Sequence, residues 1–158
     1  MRAQTFLRRA AEISREGVRR GYGGPFGAVI VRTDTDEIAA EACNRVLIDN
    51  DPTAHAEVEA IRAAGKAIGR FHLHGYEIFA SGQPCPMCLA AIYWARLDRV
   101  WYANTLADAA AIGFDDSNFY DELSMKPEAR SVPQIHVAVD EALDVFRAWA
   151  ANKGSVRY

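Results

Sequence analysis

The chain has 158 residues, of which half are hydrophobic and a quarter are charged. This size and composition are those of one ordinary folded domain with room for an apolar core. Its 18 basic and 21 acidic residues give a formal net charge of -3. Proteins that bind a phosphate backbone usually present a basic surface, so this balance argues against a nucleic-acid partner.

Charged residues interrupt the first twenty positions, and no apolar run in the chain reaches the length of a membrane span. Neither a secretion signal nor a membrane anchor is predicted, and we expect a cytoplasmic protein. Three cysteines are too few for a disulfide framework. In a reducing compartment, the spacing of Cys85 and Cys88 indicates metal or redox chemistry instead.

The first half of the chain alternates between helical and extended patterns. Apolar residues recur at helical spacing over 6–18, and a glycine-rich turn follows at 21–25. Two apolar runs, 26–31 and 38–46, flank a polar stretch and predict a β-hairpin. An Asp-Pro-Thr start signal then opens a predicted helix over 51–68.

The second half continues the alternation. The predicted elements are a strand over 76–80, a helix over 86–97, a strand over 100–103, a short helix over 107–112, a strand over 134–139 and a closing helix over 140–151. Strands interleaved with helices predict one three-layer α/β/α domain over 1–158, built around one sheet. The opening hairpin makes that sheet mixed rather than wholly parallel.

Two short segments, His-Ala-Glu and Pro-Cys-Pro-Met-Cys, carry the residues of a metal site. Cys85 and Cys88 lie three apart at a predicted helix start, so their side chains share one face. The positive end of the helix favours their thiolate forms. His55 and Glu57 lie in the first turn of the preceding helix, where both can reach a site just beyond the helix end.

One imidazole and two thiolates are ligands that tetrahedral zinc prefers, and three protein ligands leave a fourth position for water. This is the pattern of a catalytic Zn²⁺, and we expect one per subunit. Water bound to such an ion ionises near neutral pH, and Glu57 is placed to take the proton. Together the two segments form the H-x-E…P-C-x-x-C signature of zinc deaminases.

Four longer stretches match a known superfamily. They are 23–31, 50–58, 84–96 with its Ala-Ile-Tyr-Trp-Ala-Arg segment, and the Gly-Phe-Asp-Asp-Ser segment at 113–117. On these residues the chain resembles the cytidine-deaminase-like superfamily and, within it, the bacterial guanine deaminases. The zinc motifs are shared by the whole superfamily, whereas the last two stretches are similar to the guanine branch.

The resemblance assigns a role to individual side chains. It implies zinc binding by His55, Cys85 and Cys88, proton transfer by Glu57 and Asp116, and contacts with a purine base from Phe26, Asn44, Trp94 and Tyr158. It also implies a homodimer that exchanges the C-terminal helix and tail, 140–158, so that Tyr158 closes over the partner's site. At Gln83 this sequence departs from the Glu that is usual in the superfamily, which is expected to alter a hydrogen bond near the zinc loop.

Simpler interpretations of these side chains stay open beside the functional ones. Asn44 is also typical of a turn residue after a strand, Asp116 of a turn cap, Phe26 and Trp94 of core residues, and Tyr158 of a frayed terminus. Cys85 and Cys88 alone are also compatible with a redox pair.

The resemblance implies a hydrolase acting on a cyclic amidine, which converts guanine to xanthine and ammonia in purine catabolism and needs no organic cofactor. Three alternatives remain. The first is deamination of another amino-heterocycle or nucleoside, such as guanosine, cytosine or a triazine. The second is a tRNA adenosine deaminase, against which the acidic charge and a covering C-terminal segment argue. The third is a zinc-stabilised binding module, for which a fourth protein ligand would be needed.

Overall fold

The computed structural model describes residues 1–157, in which seven α-helices and four strands alternate. The helices are α1 (Arg2–Arg19), α2 (Val46–Asp49), α3 (Ala56–Ile68), α4 (Pro86–Trp94), α5 (Leu106–Ala110), α6 (Ser117–Ser124) and α7 (Asp140–Ala151). The strands are β1 (Gly27–Arg32), β2 (Ile38–Cys43), β3 (Tyr76–Gly82) and β4 (Arg99–Asn104).

The four strands form one sheet in the order β2-β1-β3-β4. Strand β1 pairs antiparallel with both β2 and β3, whereas β3 and β4 are parallel. The antiparallel hairpin and the parallel β3–β4 pair confirm that the sheet is mixed.

Helices cover both faces of this sheet. On one face, Ala28 and Ile30 of β1 pack in a buried cluster with Ala60 of α3 and Ile92 of α4. Because side chains alternate along a strand, the intervening Val29 and Val31 point to the other face. There they pack against α1 in a second buried cluster, whose members also include Phe6, Ala10 and Phe79. The predicted three-layer α/β/α architecture is confirmed.

Strand β2 and helix α4 each end three residues earlier than their apolar patterns suggest. Strand β2 ends at Cys43 rather than at 46, because the Asn44 side-chain oxygen accepts a hydrogen bond from the Val46 N–H at 3.2 Å and turns the chain into α2. Helix α4 ends at Trp94 rather than at 97. Just beyond it, Arg96 has a left-handed backbone with φ of 57°, which cannot continue a helix.

The helix predicted from 51 begins later, at Ala56. The Asp51 carboxylate does not cap this helix. It instead accepts hydrogen bonds from the N–H and the hydroxyl of Thr53, both at 2.7 Å, in a local turn. This turn leads directly to His55, which is the N-cap residue of α3. The Asp-Pro-Thr segment therefore forms the turn that precedes α3 and is not part of the helix itself.

The chain divides into two compact units, Met1–Phe119 and the part that follows from Tyr120. The first unit holds the sheet. In the second, α7 confirms the helix predicted over 140–151, but the strand predicted over 134–139 is wrong. The side chains of Ile135 and Val137 are 82% and 75% exposed. Within the described residues of this segment, no neighbouring strand supplies the hydrogen bonds that a sheet requires. Whether 1–158 acts as a single domain stays a prediction.

No described helix combines the length and apolar character that crossing a membrane would require.

Candidate active site

The predicted metal ligands lie at the starts of two helices on the same side of the sheet. His55 and Cys85 are the N-cap residues of α3 and α4, with extended ψ angles of 152° and 169°. Cys88 follows in the first turn of α4, where Pro86 is favoured because its missing N–H would be unpaired in any case. The start of a helix is electropositive, so the positions of Cys85 and Cys88 favour the thiolate form of each side chain.

The donor atoms of His55, Cys85 and Cys88 all lie within 4.8 Å of one another, and in the described part of the chain no second such group occurs. The His55 Nδ1 atom is 3.7 Å from the sulfur of Cys85 and 3.4 Å from that of Cys88. Zinc bonds of about 2.3 Å to sulfur and 2.0 Å to nitrogen, arranged tetrahedrally, imply a sulfur–nitrogen separation of about 3.5 Å. The three side chains therefore fit zinc with little movement.

The two thiols differ in acidity because they face each other. The interaction with the Cys88 thiol, together with that of His55, lowers the pKa of Cys85 to about 4. The same contact, together with burial, raises the pKa of Cys88. Hydrogen bonding to Cys85 also raises the pKa of His55. The cluster thus concentrates negative charge on sulfur beside an imidazole, which suits a divalent cation.

Glu57 is a buried carboxyl group in the first turn of α3, with 6% of the residue exposed. Its Oε2 atom lies 3.5 Å from the sulfur of Cys88. Burial raises the pKa of Glu57, since a charged carboxylate loses its hydration there. Glu57 therefore contacts the ligand cluster. Its raised pKa also suits a group that holds and releases a proton.

A pocket of about 660 Å³ opens onto this cluster within the first unit. Its walls are mainly apolar, with a few polar groups between them, as is usual for small-molecule sites. The lining residues are Val18, Gly23, Gly24, Pro25, Phe26, Asn44, Val46, Leu47, Pro52, His55, Glu57, Gln83, Cys85, Phe114, Asp116 and Phe119.

Asn44 lies in the pocket wall and is also a turn residue, so both interpretations of it apply. Its Oδ1 atom accepts hydrogen bonds from the N–H groups of Gly24 at 3.1 Å and Val46 at 3.2 Å. The residue is 4% exposed, and its own N–H donates to the Phe26 carbonyl. With the oxygen held in this way, the amide nitrogen is the end that can donate to a ligand.

Asp116 lines the pocket and is half-buried. Burial raises its pKa, and the nearby negative charge of Cys85 adds to this effect. The neighbouring Asp115, rather than Asp116, accepts a hydrogen bond from the Ser117 N–H through its side chain at 3.2 Å. The turn-capping role considered for Asp116 thus belongs to Asp115, which leaves the Asp116 carboxylate directed to the site.

Trp94 is not among the residues that line this pocket within the chain, and its predicted contact with the base stays a prediction. It is the last residue of α4 and is 60% exposed, so it is not a core residue either. Nine helical positions separate it from Cys85, a rise of about 13 Å along the helix axis. Tyr158, the other expected contact, lies outside the described residues.

Sequence analysis did not single out Phe114, although this residue lies inside a segment that carried the family resemblance. The Phe114 ring meets the Phe26 ring edge-on, with centroids 5.0 Å apart and planes at 90°. Gln83 also lines the pocket, and its backbone N–H donates to the Asn104 carbonyl at 2.8 Å. The sequence motifs did not indicate that Phe114 lines the pocket. Its position there follows from the turn after α5, which brings the chain back to the pocket.

Residues 1–104 match the family described as the cytidine and deoxycytidylate deaminase zinc-binding region. The chain therefore belongs to this family of zinc-binding deaminases, as the sequence motifs predicted. Within the family it is 50% identical to the guanine deaminase of Bacillus subtilis, over 97% of this chain and 98% of that protein. The crystal structure of that enzyme superposes with a TM-score of 0.93 at 49% identity, covering 98% of each chain.

More distant relatives divide between two activities. The structure of guanine deaminase from Nitrosomonas europaea has a TM-score of 0.67 at 29% identity, covering 70% of this chain and 63% of that one. The tRNA-specific adenosine deaminase of Agrobacterium fabrum is 31% identical over 82% of each chain. The chain is thus more similar to the guanine deaminase of Bacillus subtilis than to this tRNA enzyme, both in sequence identity and in the share of the chain that is matched.

Proposed function

We propose that the chain is a zinc-dependent hydrolase that converts guanine and water into xanthine and ammonia. The observation that carries the proposal is the 50% identity to a guanine deaminase over almost the full length of both proteins. The pocket supports it, because a zinc-type donor set, a buried carboxyl group and a few polar wall residues converge there. Cytoplasmic location and a part in purine catabolism belong to the same proposal.

One zinc ion per chain would be held by His55, Cys85 and Cys88. Bound there, zinc would supply the Lewis acidity that lowers the pKa of a water molecule and makes it a nucleophile near neutral pH. The three side chains leave the side facing the pocket open to that water and to the substrate.

Glu57 moves the protons of the reaction. The carbon that bears the amino group of guanine lies between two ring nitrogens and is electron-poor, so water attacks it and the carbon becomes tetrahedral. Glu57 takes a proton from the attacking water and gives it to the adjacent ring nitrogen. It then carries the proton of the newly added hydroxyl to the amino group, the carbon–nitrogen bond breaks, and ammonia leaves as the new carbonyl forms.

Asn44 and Asp116 hold the edges of the base. The oriented amide nitrogen of Asn44 donates to an acceptor atom of the purine, while the Asp116 carboxylate accepts from an N–H group and assists proton transfer. Phe26 contributes an apolar surface for the flat ring. A site built from such polar groups rejects bases that leave them unpaired, so guanine is favoured over adenine.

We further propose that the protein is a homodimer whose subunits exchange 140–158. Support comes from α7, where Leu143, Phe146 and Trp149 are 45%, 75% and 45% exposed. An apolar helix face of this kind is typical of a surface that a partner covers. In this arrangement Tyr158 closes over the partner's pocket, excludes bulk water and leaves no room for a polynucleotide.

Release of ammonia, measured over a panel of substrates, tests the proposed reaction. The panel contains guanine, guanosine, cytosine, cytidine, adenine, ammeline and a tRNA anticodon arm. We expect guanine to be the preferred substrate by at least about 10²-fold over adenine, because the wrong base leaves buried polar groups unpaired. Preference for the tRNA arm or for a nucleoside would replace guanine deamination with one of the alternatives.

Metal analysis tests the proposed zinc site separately. Protein purified without chelators should contain one zinc per chain, and Cys88→Ala should lose it. The metal-free form should also unfold at a lower temperature, since zinc binding contributes free energy to folding. A wild-type protein with far less than one zinc per chain, or a Cys88→Ala variant that keeps its zinc, would contradict the assignment.

A further inference from the structure

Two aromatic rings form a right-angled corner in the pocket wall. Phe26 precedes β1, and Phe114 lies beyond the end of α5, yet their ring centroids are 5.0 Å apart with planes at 90°. Both residues line the same pocket as His55 and Asp116. A planar base can lie flat against one ring while its edge meets the other, which are the two arrangements that aromatic rings prefer.

Glycine at position 24 makes room for this corner. A methyl group added there would lie 3.0 Å from Cζ of Phe114 and 3.1 Å from Cδ2 of Phe26, closer than carbon atoms normally approach. The Gly24 N–H also donates to Asn44. A side chain at position 24 would thus meet both rings, and the backbone there is bonded to Asn44. The absence of a side chain therefore determines the shape of this part of the pocket.

The turn that places Phe114 also places Asp116. Helix α5 is followed by Gly113, whose φ of 92° is accessible mainly to glycine. The Phe114 N–H then donates to the Ala109 carbonyl at 3.0 Å, which directs the chain back toward the pocket. Phe114 remains 40% exposed, so its ring is accessible to a ligand and can shift when its neighbours change.

We propose that Phe114, in the space left by Gly24, determines selectivity for a fused two-ring base over a single-ring base. This inference rests on the proposed deamination of guanine. The six-membered ring must reach Glu57, since it carries the reacting carbon, and in this proposal the five-membered ring contacts Phe114. A one-ring pyrimidine with the same polar edge reaches Glu57 but lacks the ring that contacts Phe114.

Isocytosine is the matched probe, because it reproduces the six-membered ring of guanine without the fused ring. Phe114→Ala should raise KM for guanine about tenfold, as expected for the loss of one base–aromatic contact. We expect kcat and zinc content to stay close to wild type. The inhibition constant of isocytosine should hardly change. Phe114→Leu should give an intermediate KM, because it retains apolar bulk without the ring.

Gly24→Ala gives an independent test of the geometry. Its methyl group should push the Phe114 ring aside and raise KM for guanine, as Phe114→Ala does. In the double variant the methyl group no longer meets Phe114, so the two effects on KM should combine to less than their product. Phe71→Ala, which removes a 61% exposed ring outside this pocket, is the control and should leave KM unchanged.

Failure of this inference differs from failure of the proposed function. If wild-type protein releases no ammonia from guanine, the proposed function fails before the variants are compared. If wild-type protein is active, three results would overturn the role of Phe114. These are an unchanged KM in Phe114→Ala, an equal loss of guanine and isocytosine binding, or independent effects of the two substitutions.

Discussion

At the scale of single residues, the account depends on Glu57, a carboxyl group that is buried against the sulfur of a proposed zinc ligand. Glu57→Gln preserves its shape but removes its capacity to carry a proton. Turnover of guanine should fall by a factor of about 10² to 10⁴, the usual cost of losing a general acid–base, while zinc content is retained.

The matched control is Glu59→Gln, two residues further on in the same helix. The Glu59 carboxylate pairs with Arg62 at the surface and does not line the pocket. We expect this variant to keep wild-type activity and zinc. Near-normal turnover in Glu57→Gln, or an equal loss in both variants, would remove Glu57 from the proposed mechanism.

Most of the site could be predicted from short motifs, because residues close in sequence determined it. His55 with Glu57, and Cys85 with Cys88, each belong to one helix start, and the zinc geometry follows from joining the two. The position of Phe114 could not be predicted in this way. It depends on where α5 ends and on which way the chain then turns, and both follow from the backbone conformation at Gly113.

At the scale of elements, a buried charge cluster joins α1 to the sheet. The Glu77 carboxylate in β3 accepts hydrogen bonds from Arg2 of α1 at 2.8 Å and from the Trp101 indole N–H at 3.0 Å. Burial alone would raise the pKa of Glu77, but these hydrogen bonds outweigh it and leave the pKa below its usual value. The ionised form is therefore favoured in the folded state.

Glu77→Gln should lower the free energy of unfolding at pH 7 by about 1 to 3 kcal/mol, because it weakens hydrogen bonds to a buried charged group. A carboxyl group with a lowered folded pKa stabilises the protein above its unfolded pKa of about 4.3, and this contribution is lost as the pH falls through the folded pKa. The difference between wild type and variant should therefore shrink below about pH 4. Urea unfolding across this pH range measures it.

Glu41→Gln provides the comparison for that experiment. Glu41 of β2 pairs with Arg9 of α1 at 2.7 Å. Both of these side chains are more exposed than those of the Arg2–Glu77 pair. A surface ion pair contributes at most about 1 kcal/mol, so we expect a small effect. Equal effects of the two substitutions at pH 7, or a difference between wild type and Glu77→Gln that does not change with pH, would show that the buried cluster does not fasten α1.

The same scale shows why strand prediction failed once. The apolar run over 26–31 and the alternating residues over 134–139 both predicted a strand, but only the first, β1, has neighbouring strands on both sides. A strand requires hydrogen-bonding partners that are distant in sequence, and periodicity carries no information about them. Helix α7 was predicted with its exact bounds, since a helix forms its hydrogen bonds internally.

At the scale of the whole molecule, the proposed exchange of 140–158 can be tested by mixing inactive chains. Deletion of 155–158 should leave the dimer and zinc intact but sharply reduce guanine turnover, because the pocket stays open to water. Glu57→Gln is inactive for a different reason. In a mixed dimer, the shortened chain keeps its own Glu57 and receives the intact tail of its partner, so activity should be partly restored.

Subunit exchange between the two inactive proteins, followed by chromatography of differently tagged chains, isolates that mixed dimer. Each unmixed protein carried through the same exchange is the control. A mixed dimer no more active than its parents would mean that each tail serves its own subunit or none. A protein that is monomeric in solution at assay concentration would contradict the exchange itself.

The central claim is that water replaces the amino group of guanine in the pocket beside His55, Cys85 and Cys88. Its most direct measurement is the mass of the product formed from guanine in H₂¹⁸O. We predict xanthine with one ¹⁸O atom, one ammonia released per xanthine, and product formation about 10²- to 10⁴-fold slower in Glu57→Gln that retains its zinc. Guanine left unchanged by zinc-loaded wild-type protein, or xanthine without solvent oxygen, would contradict the account.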